Sequence, residues 1–119
     1  MKYIFVRHGK THFNEIQLKQ GWCDSPLTKQ GIKEIENIAK QGIKEVVITG
    51  IHIASYGKDF RNGYKLIDLL EEINQIEGIE RIRLGSIEPL LITEEFVQRL
   101  TKLEKICEHF HLSLQSGCD

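Results

Sequence analysis

Arg7, His8 and Gly9 follow directly on an apolar run, Tyr3-Ile4-Phe5-Val6. An apolar run that stops at a cation and an imidazole reads as a buried strand delivering both to a loop at its C-terminal end. In α/β sheets that edge is where ligands bind. Three other polar sets close apolar segments in the same way: Thr49-Gly50-Ile51-His52, Ser86-Ile87-Glu88-Pro89 and Gln115-Ser116-Gly117. A parallel sheet sends every strand's C-terminal end to one edge, so these sets would converge with Arg7-His8. Helix N-termini point the same way, and the chemistry favoured there is the binding of an anion. His109-x-His111 puts two imidazoles on one strand face, the beginning of a metal site. No third ligand follows at useful spacing, and no metal is expected.

The elements that would position these residues alternate regularly. Residues 2–6 are the first strand. Thr28 is placed as the N-cap of a helix whose stripe is Ile32, Ile35, Ile38 and Ala39. Gln41-Gly42 ends it, with Gly42 suited to the left-handed cap position. Val46-Val47-Ile48 in a row predicts a strand over 45–49 covered on both faces. After a loop to residue 63, Leu66, Ile67, Leu69, Leu70, Ile73 and Ile76 give a second helix closed near Gly78. Residues 81–86 alternate Ile82 and Leu84 against Arg81 and Arg83, a third strand. Thr93 caps a third helix with Glu94 and Glu95 in its first turn and Phe96, Val97, Leu100, Leu103 and Ile106 as its buried face. Residues 109–115 alternate Phe110, Leu112 and Leu114 with polar residues, a fourth strand. The order βαβαβαβ predicts an α/β fold of four parallel strands alternating with three helices, as a partial β/α barrel or a small open sheet.

At 119 residues the chain suits one domain. A net charge of −1 gives no electrostatic footprint for nucleic acid or an anionic membrane, and neither is expected as a partner. No apolar run approaches the roughly 18–20 residues of a membrane span, and the N-terminus carries no signal-peptide pattern. Cys23, Cys107 and Cys118 form no CxxC pair and read as reduced thiols, so a cytoplasmic location is expected.

The spacing RHGxTxxN followed by QGWxDSPLT, within residues 1–40, resembles the histidine phosphatase (phosphoglycerate mutase-like) superfamily. The resemblance implies His8 as the nucleophile that becomes phosphorylated, Arg7 and Asn14 as holders of phosphoryl oxygens, and Gln20 and Gly21 as pocket lining. The chemistry is consistent. An unprotonated imidazole attacks phosphorus near neutral pH, and a planar guanidinium matches phosphate oxygens in pairs. The family also needs a second arginine, an acid for the leaving group and a second histidine beside a glycine. Arg61, His52, His109 and His111 do not stand in those contexts.

Residues 41–119 resemble a second family. The blocks QGIKEVVITGIHIASYGKD, RIRLGSIEP and ICEHFHLSLQSGCD look like the methylthiotransferase branch of the radical S-adenosylmethionine enzymes, closest to those acting on threonylcarbamoyl-adenosine in transfer RNA. That resemblance implies strands two to four of a partial barrel. It implies cofactor-facing positions for Thr49, Gly50, Ser86, Glu88 and Gln115. In that family the cluster-binding CxxxCxxC follows the first barrel strand, where this sequence has Arg7-His8-Gly9. Three thiolates are needed for the iron–sulfur cluster, so radical chemistry and its cofactors are not expected of these residues.

The expectation is a single hybrid α/β domain without the full activity of either parent, its longer match pointing to transfer-RNA methylthiolation. The alternative is a phosphate-binding or weakly phosphatase-like protein using His8, with phosphate or a phosphorylated small molecule as ligand. Helices on one face of four strands would leave apolar residues open on the other, among Val46, Val47, Ile48, Ile82, Leu84, Phe110 and Leu112. Self-association follows from that expectation.

Overall fold

A computed structural model describes residues 29–50, 53, 56, 63–114 and 117. The predicted first strand at 2–6 lies outside the described residues. Helix α1, Lys29–Lys40, ends through Gln41 and Gly42, whose N–H donates 2.9 Å to the Ala39 carbonyl. Gly42 has φ 85°, the left-handed cap position its residue type predicts. Strand β1, Glu45–Ile48, follows, then helix α2, Leu66–Gln75, then strand β2, Arg81–Leu84. Asp68 opens α2 by accepting the Lys65 backbone N–H at 2.5 Å, satisfying a donor the helix cannot. β1 and β2 pair in parallel from Glu45 opposite Arg81 to Ile48 opposite Leu84.

Beyond Leu84 the structure departs from the expected single strand. Strand β3 is Ser86–Ile87, a 3₁₀ turn covers Pro89–Leu91, helix α3 is Glu94–Leu100, and strand β4 is His111–Leu112. β3 pairs in parallel with β4 as a second two-stranded sheet, so the described residues do not show four strands in one sheet. Gly85 is the reason for the break. Leu84 and Ile87 are both buried, yet strand alternation would put residues three apart on opposite faces. Gly85 absorbs a one-residue slip. Its N–H still reaches the Ile48 carbonyl at 2.8 Å, while a Cβ there would stand 3.2 Å from the Thr49 side chain.

The third helix is shorter than its apolar stripe predicts. Thr101 caps it, and the Thr101 hydroxyl donates to the Gln98 carbonyl at 3.1 Å, competing with the helix ladder. Ile106 is therefore not on a helix face. It bridges Ile82 in parallel, with the Ile82 N–H donating to the Lys105 carbonyl and the Cys107 N–H to the Ile82 carbonyl. The fourth strand, expected over 109–115, is thus the two-residue strand His111–Leu112.

One apolar cluster unites the described residues. Leu70 and Ile73 of α2, Ile82 of β2, Ile79 and Ile87 are its most buried members, with Phe96 and Leu100 of α3 and Ala39 of α1. Burying side chains of this size stabilises by about 1.5–3 kcal/mol each. The helices cover the face bearing Ile82 and Leu84, with Val46 and Ile48 partly buried against them. Val47 is 53% exposed, so β1 is covered on one face and not on both. The open face is also more polar than expected, because Glu45 takes the Arg81 Nε at 2.6 Å and the Arg83 Nε at 2.9 Å. On the helical side Arg99 of α3 ties down α2, donating to Asp68 at 2.5 Å and to both oxygens of Glu71 at 2.7 and 2.8 Å. Glu71 is therefore a clamp residue between α2 and α3.

Candidate functional site at the strand ends

The parallel pairing of β1 with β2, and of β3 with β4, sends their C-terminal ends the same way. Thr49 and Gly50 leave the end of β1, and both are exposed. Thr49 lies against Gly85, with Ser86 next in the chain. Ser86 is exposed, and Glu88 is half-buried at the start of the 3₁₀ turn, its carbonyl accepting the Leu91 N–H at 3.0 Å. Beyond Gly50, Ile53 is 6% exposed and joins the core, and the Tyr56 ring meets Tyr64 edge-on at 6.4 Å. Burial, followed by the nearby Glu72 charge, pushes the Tyr64 hydroxyl well above the usual phenol range.

Of the sequence-derived residues, Thr49, Gly50, Ser86 and Glu88 fall within the described structure. Thr49 and Ser86 flank Gly85. His8, Arg7, Asn14, Gln20, Gly21 and Gln115 lie outside the described residues, as do His52 and Arg61.

The structure adds a contact the sequence reading missed. Ser86 and His111 are direct cross-strand partners, and the Ser86 Oγ lies 2.8 Å from the His111 Nδ1. A serine and a histidine 25 positions apart carry no local signal. Only the slip at Gly85, which turns Ser86 outward, makes the meeting possible. His111 thus has a hydroxyl partner at Nδ1. Among the described residues no set of three or more His, Cys, Asp or Glu side chains comes together as a metal site. A groove lined by Glu36, Lys40, Glu72, Gln75, Ile76 and Glu77 lies between the C-terminal ends of α1 and α2, on the side from which the chain enters β2. Among the described residues no helix is long and apolar enough to cross a membrane.

Both resemblances read from the sequence are found among known proteins. The chain is 46% identical over 86 residues to a tRNA-2-methylthio-N(6)-dimethylallyladenosine synthase of Caldicellulosiruptor saccharolyticus, covering 72% of this chain and 18% of that protein. It is 45% identical over 84 residues to the protein of the same name from Natranaerobius thermophilus, covering 71% of this chain and 19% of the relative. The relative from Moorella thermoacetica is 42% identical over 86 residues, at 72% and 19% coverage. The chain thus spans less than a fifth of the length of these relatives, and their names carry dimethylallyladenosine where the sequence reading favoured the threonylcarbamoyl-adenosine branch. The family model of the histidine phosphatase superfamily (branch 1) matches residues 3–102, well past the Lys40 boundary drawn from the motifs. With that match taking in most of its length, the chain belongs to the histidine phosphatase superfamily.

Proposed function

We propose that this chain is a hybrid, a histidine-phosphatase opening unit continued by a methylthiotransferase-like βαβ segment, and that it binds phosphate at Arg7 and His8 without the full activity of either parent. The observation that carries this reading is the shared core. Ala39, in the last turn of α1, is 6% exposed and belongs to the same cluster as Leu70, Ile73 and Ile82. Ala39 lies in the part of the chain that both matches take in, and its packing with the sheet supports one folding unit over two.

The parallel direction of β1 and β2 supports the location of the site. A strand before α1 joined by the same right-handed crossover would open at the edge occupied by Thr49 and Ser86. His8 would be the nucleophile there, Arg7 and Asn14 would hold phosphoryl oxygens, and Gln20 and Gly21 would line the pocket. A phosphoryl transition state is stabilised by several positioned cations and donors. One Arg–His pair supplies part of that set, so binding exceeds turnover. Hydrolysis of p-nitrophenyl phosphate by the purified chain, compared with His8→Ala, tests the role of His8. Equal rates would remove the histidine mechanism.

The identity to the methylthiotransferases favours a second reading, in which transfer-RNA methylthiolation is the ancestral activity. The residues do not fit its cluster. Cys23, Cys107 and Cys118 do not stand in CxxxCxxC spacing, and Arg7-His8-Gly9 take that motif's place. Stoichiometric iron and sulfide after anaerobic reconstitution would reverse that judgement. Exposure of Val47, Phe110, Leu112 and Leu114 supports self-association, and the free Cys107 thiol supports a cytoplasmic location.

A further inference from the structure

We propose that Ser86 and His111 form a nucleophile–base pair that accepts acyl groups from small activated esters, an activity separate from phosphate binding. The pair has the geometry nucleophilic catalysis requires. The Ser86 Oγ is 2.8 Å from the His111 Nδ1, within the reach over which a base takes a hydroxyl proton. Both residues are exposed, so a substrate can approach them. Neither sits on a free loop. The β3–β4 register sets them directly opposite one another, and the Ser113 N–H donating 2.9 Å to the Ile87 carbonyl continues that register past them. A pair mounted on paired strands keeps its separation better than one mounted on loops.

The chemistry balances without a cofactor. The Ser86 oxygen attacks the ester carbonyl carbon as its proton passes to the His111 Nδ1. The bond from that carbon to the leaving oxygen breaks, and the proton goes from His111 to the departing alkoxide. Water then attacks the acyl-serine with His111 again taking the proton, releasing a carboxylic acid and restoring the hydroxyl. The open position of the pair on the sheet suits small, unhindered esters with good leaving groups.

The test is hydrolysis of p-nitrophenyl acetate by the full chain, with peptide mass spectrometry to locate the acetyl group. The expected result is an acetyl adduct on Ser86. Ser86→Ala and His111→Gln should each lower the rate roughly 10²-fold, the low end for a positioned base. Ser86→Cys should keep a nucleophile and still trap the acyl group. Wild-type rates in Ser86→Ala and His111→Gln would overturn the proposal, as would an adduct found only on lysines, on Cys107 or at the N-terminus. Should either variant fail to fold, adduct mapping on the wild-type chain decides alone.

Discussion

The two parallel ladders of this molecule are held by different means. At β1–β2 four residue pairs lie in register, and Ile82 and Leu84 are buried beneath the helices. At β3–β4 there are two pairs; Leu112 is exposed beside Ile87, and a hydroxyl–imidazole contact links the open face. Backbone pairing is present in both, so the difference lies in what covers them. Burial under α2 and α3 makes the first ladder a core that Ile87 of β3 joins, while Leu112 of β4 and its neighbours Phe110 and Leu114 face out. The division falls at Gly85, where the alternation slips.

The largest expected effect tests the covered side. Ile82→Ala or Ile73→Ala should destabilise by about 2–5 kcal/mol, whereas Leu112→Ala should fall within about 1 kcal/mol. Urea unfolding of the three variants measures both. Similar losses at all three positions would mean that β4 is covered as fully as β2. Gly85→Ala comes next, at about 1–3 kcal/mol, because the added methyl meets the Thr49 side chain at 3.2 Å and the Ile48 carbonyl at 3.4 Å. A neutral result would place the slip elsewhere.

The clamp between α2 and α3 should matter less. Arg99→Met is expected to cost about 1 kcal/mol, since its pairs are partly open to solvent. Its sharper signature is in acid. Burial works against ionisation of Asp68, but Arg99 and the Lys65 amide outweigh it and hold the carboxyl below its ordinary range. The Arg99 hydrogen bond holds Glu71 down in the same way. The folded chain therefore binds fewer protons than the unfolded one. The stability these groups contribute is full above the ordinary carboxylate value of about 4 and is lost as pH falls through the depressed folded values. Thermal unfolding followed across that window should show a shallower acid loss in Arg99→Met than in wild type. Leu114→Ser, smallest of all, should leave stability within about 0.5 kcal/mol while reducing self-association in sedimentation, because Leu114 is 73% exposed.

Much of the covered side was legible in the sequence. The stripe from Leu66 to Ile73, the Thr93 cap, the Gly42 turn and the alternation of Ile82 and Leu84 are local patterns whose physics is decided within a few residues. The second ladder was legible only in outline. Ile106 has the right spacing for the α3 stripe, and nothing local says that Thr101 ends the helix and frees Ile106 to bridge Ile82. The slip at Gly85 depends on its neighbour Thr49, 36 positions away, and the Ser86–His111 contact depends on that slip in turn. Of the candidate site, Thr49, Gly50, Ser86 and Glu88 were identified from family resemblance. Thr49 comes to lie against Gly85, beside Ser86, because β1 and β2 pair in parallel. The Glu45 bridge to Arg81 and Arg83 was invisible, because it is set by strand register and not by spacing.

The proposed hybrid folds as one unit and carries an anion site at the strand ends. An amide proton–nitrogen correlation spectrum of the purified chain, recorded with and without inorganic phosphate, tests it most directly. The account predicts a dispersed spectrum in which phosphate moves the amides of Arg7, His8, Gly9 and Asn14 while those of Leu70, Ile73 and Ile82 stay in place. A collapsed spectrum, or a dispersed one in which phosphate leaves those four amides unmoved, would contradict it.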